Sequence, residues 1–231
     1  MQIALIGQGV MGQLVKRMAE EKGDSCATMT SSSDSKLSAA ELSERLGGAD
    51  AAIDFSVAEA VVRNAEACML ADVPLVEGTT GWNSQLGKIR ELVDLHGGAF
   101  VYGANFSIGV NLFYRITEFA SELFSRFPAY EVFIEEQHHS RKKDAPSGTA
   151  LKLKDVVSGH IGKPFSVSST RAGNIPGTHR VGFDGPADQI LLEHTARSRE
   201  GFAAGALMAA EWIVGKKGFY DFSDVIDEIL K

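Results

Sequence analysis

The chain has 231 residues, 44% hydrophobic and 23% charged, with a formal net charge of −7. That balance suits one large or two modest globular domains and disfavours disorder and coiled coil. An acidic chain is a poor match to broad nucleic-acid binding, which needs a basic face. The two cysteines, Cys26 and Cys68, are too few for a disulfide framework and lack zinc-site spacing, so a reducing compartment is expected. The opening MQIALIGQG has no basic leader, and no stretch reaches the roughly 18 apolar residues of a membrane span. A soluble, cytoplasmic protein is expected.

In chain order, Ile3-Ala4-Leu5-Ile6 reads as a buried strand. Met11, Leu14, Val15 and Met18 follow at helical spacing and predict a helix ending near Gly23. Between them lies Gly7-Gln8-Gly9-Val10-Met11-Gly12. In a strand–turn–helix, Gly7 allows the tight turn, Gly9 lets backbone approach a pyrophosphate, and Gly12 lets helix and strand pack closely. The helix amino terminus then turns unpaired N–H groups toward the phosphates. Further strands are predicted at 26–29, 51–55, 74–76 and 100–102, with helices carrying Val61 to Met69 and Leu86 to Val93. Strands alternating with helices imply a doubly wound, Rossmann-type parallel sheet covered on both faces.

The predicted second strand runs out in Thr30-Ser31-Ser32-Ser33, where an acidic residue usually binds a ribose 2′-hydroxyl. A carboxylate there would repel a 2′-phosphate and hydroxyls would not, so NADH and NADPH both fit. Gly78-Thr79-Thr80-Gly81 and Gly103-Ala104-Asn105-Phe106 follow the fourth and fifth strands. They belong at the carboxyl edge, where such sheets bind ligands.

Beyond residue 105 the rhythm changes. A long helix is predicted over 108–124, an alternating strand over 131–135, and strands joined by Gly/Pro turns over 165–195. A helix over 202–214 follows, then a short one capped by Ser223. This predicts a second, α+β domain at 106–200 with a mostly antiparallel sheet, and a dinucleotide-binding domain made of 1–105 and 201–231.

The stretch Glu135 to Thr149, EEQHHSRKKDAPSGT, leaves a strand and enters a helix over 150–157. Pro146 is expected in the first turn of that helix, with Asp144 or Ser147 as cap. The amides of Gly148 and Thr149 would then be free donors for a carboxylate. His138 and Lys142, four apart, share a side if the loop coils by one turn. A lysine there supplies a proton and holds an anion, and a histidine tunes or shares that task. His138 and His139 have no third ligand at metal spacing, so no metal is expected.

Taken together, Glu-x-His-His-x-x-Lys-x-Asp-Ala-Pro-Ser-Gly-Thr at 136–149 resembles the signature of the 4-hydroxy-tetrahydrodipicolinate reductase family, enzymes of diaminopimelate and lysine biosynthesis. The resemblance extends to GQGVMG at 7–12, IDFS at 53–56, GTTG at 78–81, GANFSIGVN at 103–111, RAGNIPGTH at 171–179 and FAAGA at 202–206. It implies His138 as acid/base and Lys142 as proton donor, with His139, Lys142, Gly148 and Thr149 holding substrate carboxylates. It implies cofactor contacts from the 7–12 loop, Phe55, Gly78, Thr79, Thr80, Gly103, Ala104, Asn105, Phe106 and Arg199, and a homotetramer built through substrate-domain sheets. Ser31 stands where many members carry the acidic ribose ligand, Lys143 where an apolar residue is common, and Thr178 where glutamate is usual. Two other readings start from the same residues. One is an amino-acid-type dehydrogenase, which would not need the Ser-Gly-Thr cradle beside paired histidines. The other is a non-catalytic nucleotide-sensing regulator, which predicts a DNA-binding helix or basic arm that the sequence does not show.

Overall fold

A computed structural model describes residues 1–28 and 36–231. It divides into two compact units, 1–108 with 200–231, and 109–199.

The first unit is built on β1 (Gln2–Ile6), β2 (Ser25–Thr28), β3 (Ala51–Asp54), β4 (Leu75–Glu77), β5 (Ala99–Tyr102) and, from the end of the chain, β10 (Gly218–Asp221). They form one six-stranded sheet in the order β10-β5-β4-β3-β1-β2. Every pairing is parallel. Helices α1 (Val10–Lys22), α2 (Ala39–Leu46), α3 (Val61–Leu70), α4 (Leu86–His96), α7 (Glu200–Ile213) and α8 (Phe222–Ile229) accompany it. Parallel strands covered on both faces must be apolar on both, and all four residues of β3 are buried. The strand order reverses between β1 and β3, and the Gly7–Gly12 loop leaves β1 at that point. A crevice for ligands opens at such a switch point.

Neither α2 nor β10 is among the elements expected from periodicity. Ser38 and Glu41 cap α2 reciprocally, a Ser-x-x-Glu box that was readable in advance. β10 is tied to β5 by the ring stack of Phe219 on Phe100, with centroids 5.2 Å apart. The last helix is capped by Asp221, which accepts from the Ser223 amide while Asp224 reaches back. Ser223 lies inside the helix and is not its cap. The acidic pair satisfies both amides reciprocally, and one serine hydroxyl does not.

The second unit holds β6 (Glu131–His138), β7 (Ser166–Arg171), β8 (Thr178–Asp184) and β9 (Gln189–Thr195) in the order β7-β6-β8-β9. β6 is parallel to β7 and antiparallel to β8, and β8 is antiparallel to β9. Val132 and Ile134 of β6, with Val181 and Phe183 of β8, form a core with Phe113 of α5 (Ile108–Phe124) and Leu153 and Val157 of α6 (Gly148–Ser158). The same alternation buries Glu136, so a carboxylate is carried inward by strand geometry. Among the described residues, no helix is long and apolar enough to cross a membrane.

Candidate functional site

In the first unit the carboxyl edge of the sheet is laced together by backbone. The Phe55 amide donates to Ile6 O (2.8 Å), Gly78 to Asp54 O (2.8 Å) and Gly103 to Glu77 O (3.3 Å). These bonds align the starts of the Gly7, Phe55, Gly78 and Gly103 loops along one edge. Gly7 has φ +104°, and a Cβ there would lie 2.5 Å from Phe55 O. A Cβ on Gly12 would lie 2.1 Å from Gly7 O. Gly9 differs: it is exposed, has φ −67° and would meet nothing within 4 Å. It is the N-cap of α1, which has no side-chain cap. An uncapped helix terminus behind a glycine open to solvent fits a pyrophosphate.

Gln8 and Val10 are exposed beside it, and Met11 is half-buried. Phe55 lies edge-on to Phe106 at 6.4 Å and fills the space a Gly78 side chain would need. Thr79 accepts the Ser56 amide through Oγ1 (3.0 Å), and Thr80 beside it is exposed. Asn105 accepts the Ser107 amide through Oδ1 (2.9 Å), which shapes the loop after exposed Ala104 and half-buried Asn105. A Cβ on Gly205 would lie 1.8 Å from Phe106 O, so the glycine of FAAGA is what lets α7 back this loop. Ser31 lies outside the described residues.

In the second unit, Glu136 is the hub. Arg171 grips its carboxylate through two nitrogens, 2.7 and 3.0 Å, and also donates to Asp144 O. The Ser147 amide donates to Oε1 (3.2 Å), and His138 meets Oε2 through Nδ1. Burial would push the Glu136 carboxyl up, but the bonds from Arg171, Ser169 and His138 hold it at about 2. Burial pushes the His138 imidazole below its ordinary range, against the pull of Glu136, with Lys142 and Arg171 lowering it further. His138 is therefore neutral near pH 7. With Nδ1 committed to Glu136, Nε2 is the nitrogen left to work. A Cβ on Gly177 would lie 3.0 Å from that nitrogen, so glycine there keeps it clear.

His179, edge-on to His138 at 5.1 Å, meets Ser147 Oγ through Nε2 (3.0 Å). Burial, then the proximity of His138, pushes its imidazole down to about 4. Ser147 caps α6 by accepting the Ala150 amide (3.2 Å), leaving Gly148 at the exposed start of the helix. Thr149 is half-buried and engages Tyr114 through its hydroxyl. Pro146, expected inside the first helical turn, precedes the cap instead, after a cis bond to Ala145. Asp144 is not the cap: its carboxylate takes Lys142 Nζ at 2.7 and 2.9 Å. The loop does coil, the Lys142 amide donating to His139 O (3.1 Å), and the Lys142 charge is felt at His138. His139 is half-buried, with Nδ1 buried and unpartnered. Arg199 is exposed in the turn before α7.

Folding thus gathers His138, Lys142, Gly148 and Glu136 in one neighbourhood and adds Arg171, Ser147 and His179, which spacing alone did not select. The buried glutamate two residues before His138, on the inward face of an alternating strand, was the readable signal. The sequence offered no third metal ligand, yet Glu136, His138 and His179 place ligand atoms within 4.8 Å of one another. Both Glu136 oxygens already hold Arg171, so the carboxylate is organised as an ion pair.

Comparison with known proteins bears on both units. The family described as dihydrodipicolinate reductase, N-terminus, matches residues 1–106, and that described as dihydrodipicolinate reductase, C-terminus, matches 109–226. A 4-hydroxy-tetrahydrodipicolinate reductase of Christiangramia forsetii is 35% identical over the full length of both chains. One from Anaeromyxobacter sp. is 38% identical over 80% of this chain and 76% of its own. Among solved structures, a dipicolinate-bound dihydrodipicolinate reductase from Paenisporosarcina sp. TG-14 superposes with a TM-score of 0.76 at 22% identity, covering 96% of this chain and 98% of that one.

Proposed function

The chain belongs to the dihydrodipicolinate reductase family, and on that premise we propose that it reduces 4-hydroxy-tetrahydrodipicolinate to tetrahydrodipicolinate with NADH or NADPH, as a cytoplasmic homotetramer in diaminopimelate and lysine biosynthesis. The observation that carries the chemistry is the Glu136-bound, neutral His138 beside Lys142 at the start of α6.

Gly7 to Gly12 take the pyrophosphate, and Phe55, Gly78, Thr79, Thr80, Gly103, Ala104, Asn105 and Phe106 take the nicotinamide and its ribose, with Ser31 and Arg199 completing the cofactor contacts. The C4 hydroxyl leaves as water with a hydrogen from C3, and the bound cofactor would supply hydride to C4 of the unsaturated ring that remains. Lys142, His139 and the amides of Gly148 and Thr149 hold the two substrate carboxylates, which draws electron density away from the ring. Lys142 exchanges Asp144 for a substrate carboxylate and delivers a proton at C3. His138, its Nδ1–H fixed on Glu136, assists by accepting and returning a proton at Nε2. Arg171 keeps Glu136 ionised, so His138 stays in the tautomer that this role needs. Ile190 and Leu191 of β9, both 46% exposed, support self-association through this sheet. Steady-state reduction of enzymatically generated substrate, with NADH and NADPH compared, tests the reading. No oxidation of either cofactor would refute it.

A further inference from the structure

The carboxyl edge of the first unit contains a pair of acids that the proposed chemistry does not use. Asp54 ends β3 and Glu77 ends β4, and the two are register partners across the parallel ladder. Both are 0% exposed. Each holds the loop that follows it. Asp54 Oδ1 accepts the Ser56 amide (2.7 Å), and Glu77 Oε1 accepts the Thr79 amide (2.7 Å). Asp54 Oδ2 also accepts Asn64 Nδ2 (2.7 Å). Glu77 Oε2 is buried with no donor directed at it. As register partners on neighbouring strands they carry their carboxyl groups to the same face of the sheet, side by side, where two buried acids hold one proton more readily than two charges.

Among the described residues, no ion pair is made to either acid. The groups facing the two are Asn64 and Cys68 from α3 and the Ser56 and Thr79 loops. Arg63 acts one step away, donating to Asn64 Oδ1. The buried face of α7, which packs on β3 and β4, consists of Ala203, Gly205, Ala206, Leu207, Ala209, Ala210 and Ile213 and brings nothing titratable. Two adjacent buried carboxylates without a counter-ion are too costly to coexist, so one remains a carboxylic acid.

We propose that Asp54 and Glu77 share one buried proton, and that this proton joins the Phe55–Ser56 and Gly78–Thr79 loops into a single cofactor platform. Asp54 and Glu77 are then positioning residues for the cofactor, acting through those two loops. The inference rests on the cofactor reading above for its functional half only. Burial, and for Glu77 also the Asp54 charge, pushes both carboxyls upward, and alkali strips the shared proton.

Infrared spectroscopy of the intact protein at pH 7 is the first test. A protonated-carboxyl C=O stretch that shifts in D2O and disappears in Glu77→Gln is expected, and its absence overturns the proposal. Kinetics supply the second. Glu77→Gln keeps one N–H donor for Asp54 and one oxygen for the Thr79 amide, so its cofactor KM stays near wild type and does not rise in alkali. Wild-type KM rises with pH. Glu77→Leu raises it roughly tenfold at pH 7, the worth of one hydrogen bond to a charged group, with a smaller change in kcat. Equal cofactor KM in all three proteins at every pH overturns the positioning role. If Glu77→Leu does not fold, the band and the contrast between wild type and Glu77→Gln in alkali still decide. If the wild type oxidises neither NADH nor NADPH, the cofactor reading fails, and the shared proton still stands or falls on the band.

Discussion

Replacing Arg171 by Met tests the hub of the second unit. The Glu136 side chain is 0% exposed and Arg171 16%. Holding the Glu136 carboxyl at about 2 instead of 4.5 corresponds, at about 1.4 kcal/mol per pH unit, to about 3 kcal/mol of stability at neutral pH. Removing one partner of a buried ion pair costs about 3–5 kcal/mol, so the two routes agree in size. The sign follows from the lowered value. The contribution is present above the ordinary carboxyl range and is lost as pH falls from 4.5 toward 2. Arg171→Met therefore loses about 3 kcal/mol at pH 7, and the deficit shrinks in acid. Trp82 and Trp212 both lie in the first unit, so fluorescence does not report this change. Native-state hydrogen exchange at the β6 and β8 amides does. A deficit under about 1 kcal/mol, or one that persists unchanged at low pH, would refute the reasoning.

Three further outcomes follow from the same geometry. Gly9→Ala leaves thermal stability nearly unchanged and raises cofactor KM, because its Cβ meets nothing in the protein, whereas Gly12→Ala, whose Cβ would meet Gly7 O at 2.1 Å, loses both stability and binding; melting curves with cofactor titrations separate the two. Glu136→Gln lowers kcat and moves the acid limb of the pH–rate profile further below 6.5, since Glu136 pulls the His138 imidazole upward; a limb that stays or rises contradicts the assignment. Gly177→Ala places a methyl 3.0 Å from His138 Nε2 and lowers kcat while cofactor KM holds; a change confined to cofactor KM would show that Nε2 is not the working nitrogen.

Much of this architecture could be read from sequence because it repeats local rules. The β1–glycine–α1 turn, the long helix α5 and the alternation in β6 each announce themselves by period and by glycine placement. β10 does not, because Gly218 to Asp221 becomes a strand only by pairing with β5, a tertiary event. In the second unit the acidic–basic run at 135–149 was visible, but its organiser was not. Arg171 lies 35 residues from Glu136 in sequence and reaches it because β7 pairs with β6, setting Arg171 beside His138. His179 arrives the same way, as the β8 partner of Glu136. Residue types in a loop are local information, and the ion pair that sets their protonation is not.

In the proposed reaction Lys142 gives the proton and grips the substrate. Steady-state reduction of enzymatically generated 4-hydroxy-tetrahydrodipicolinate by Lys142→Ala, alongside direct titration of the cofactor, tests it most directly. Turnover should fall by roughly a hundredfold or more, the usual scale for loss of a general acid, while cofactor affinity stays within about twofold of wild type. Near-wild-type turnover, or a loss confined to cofactor binding, would contradict it.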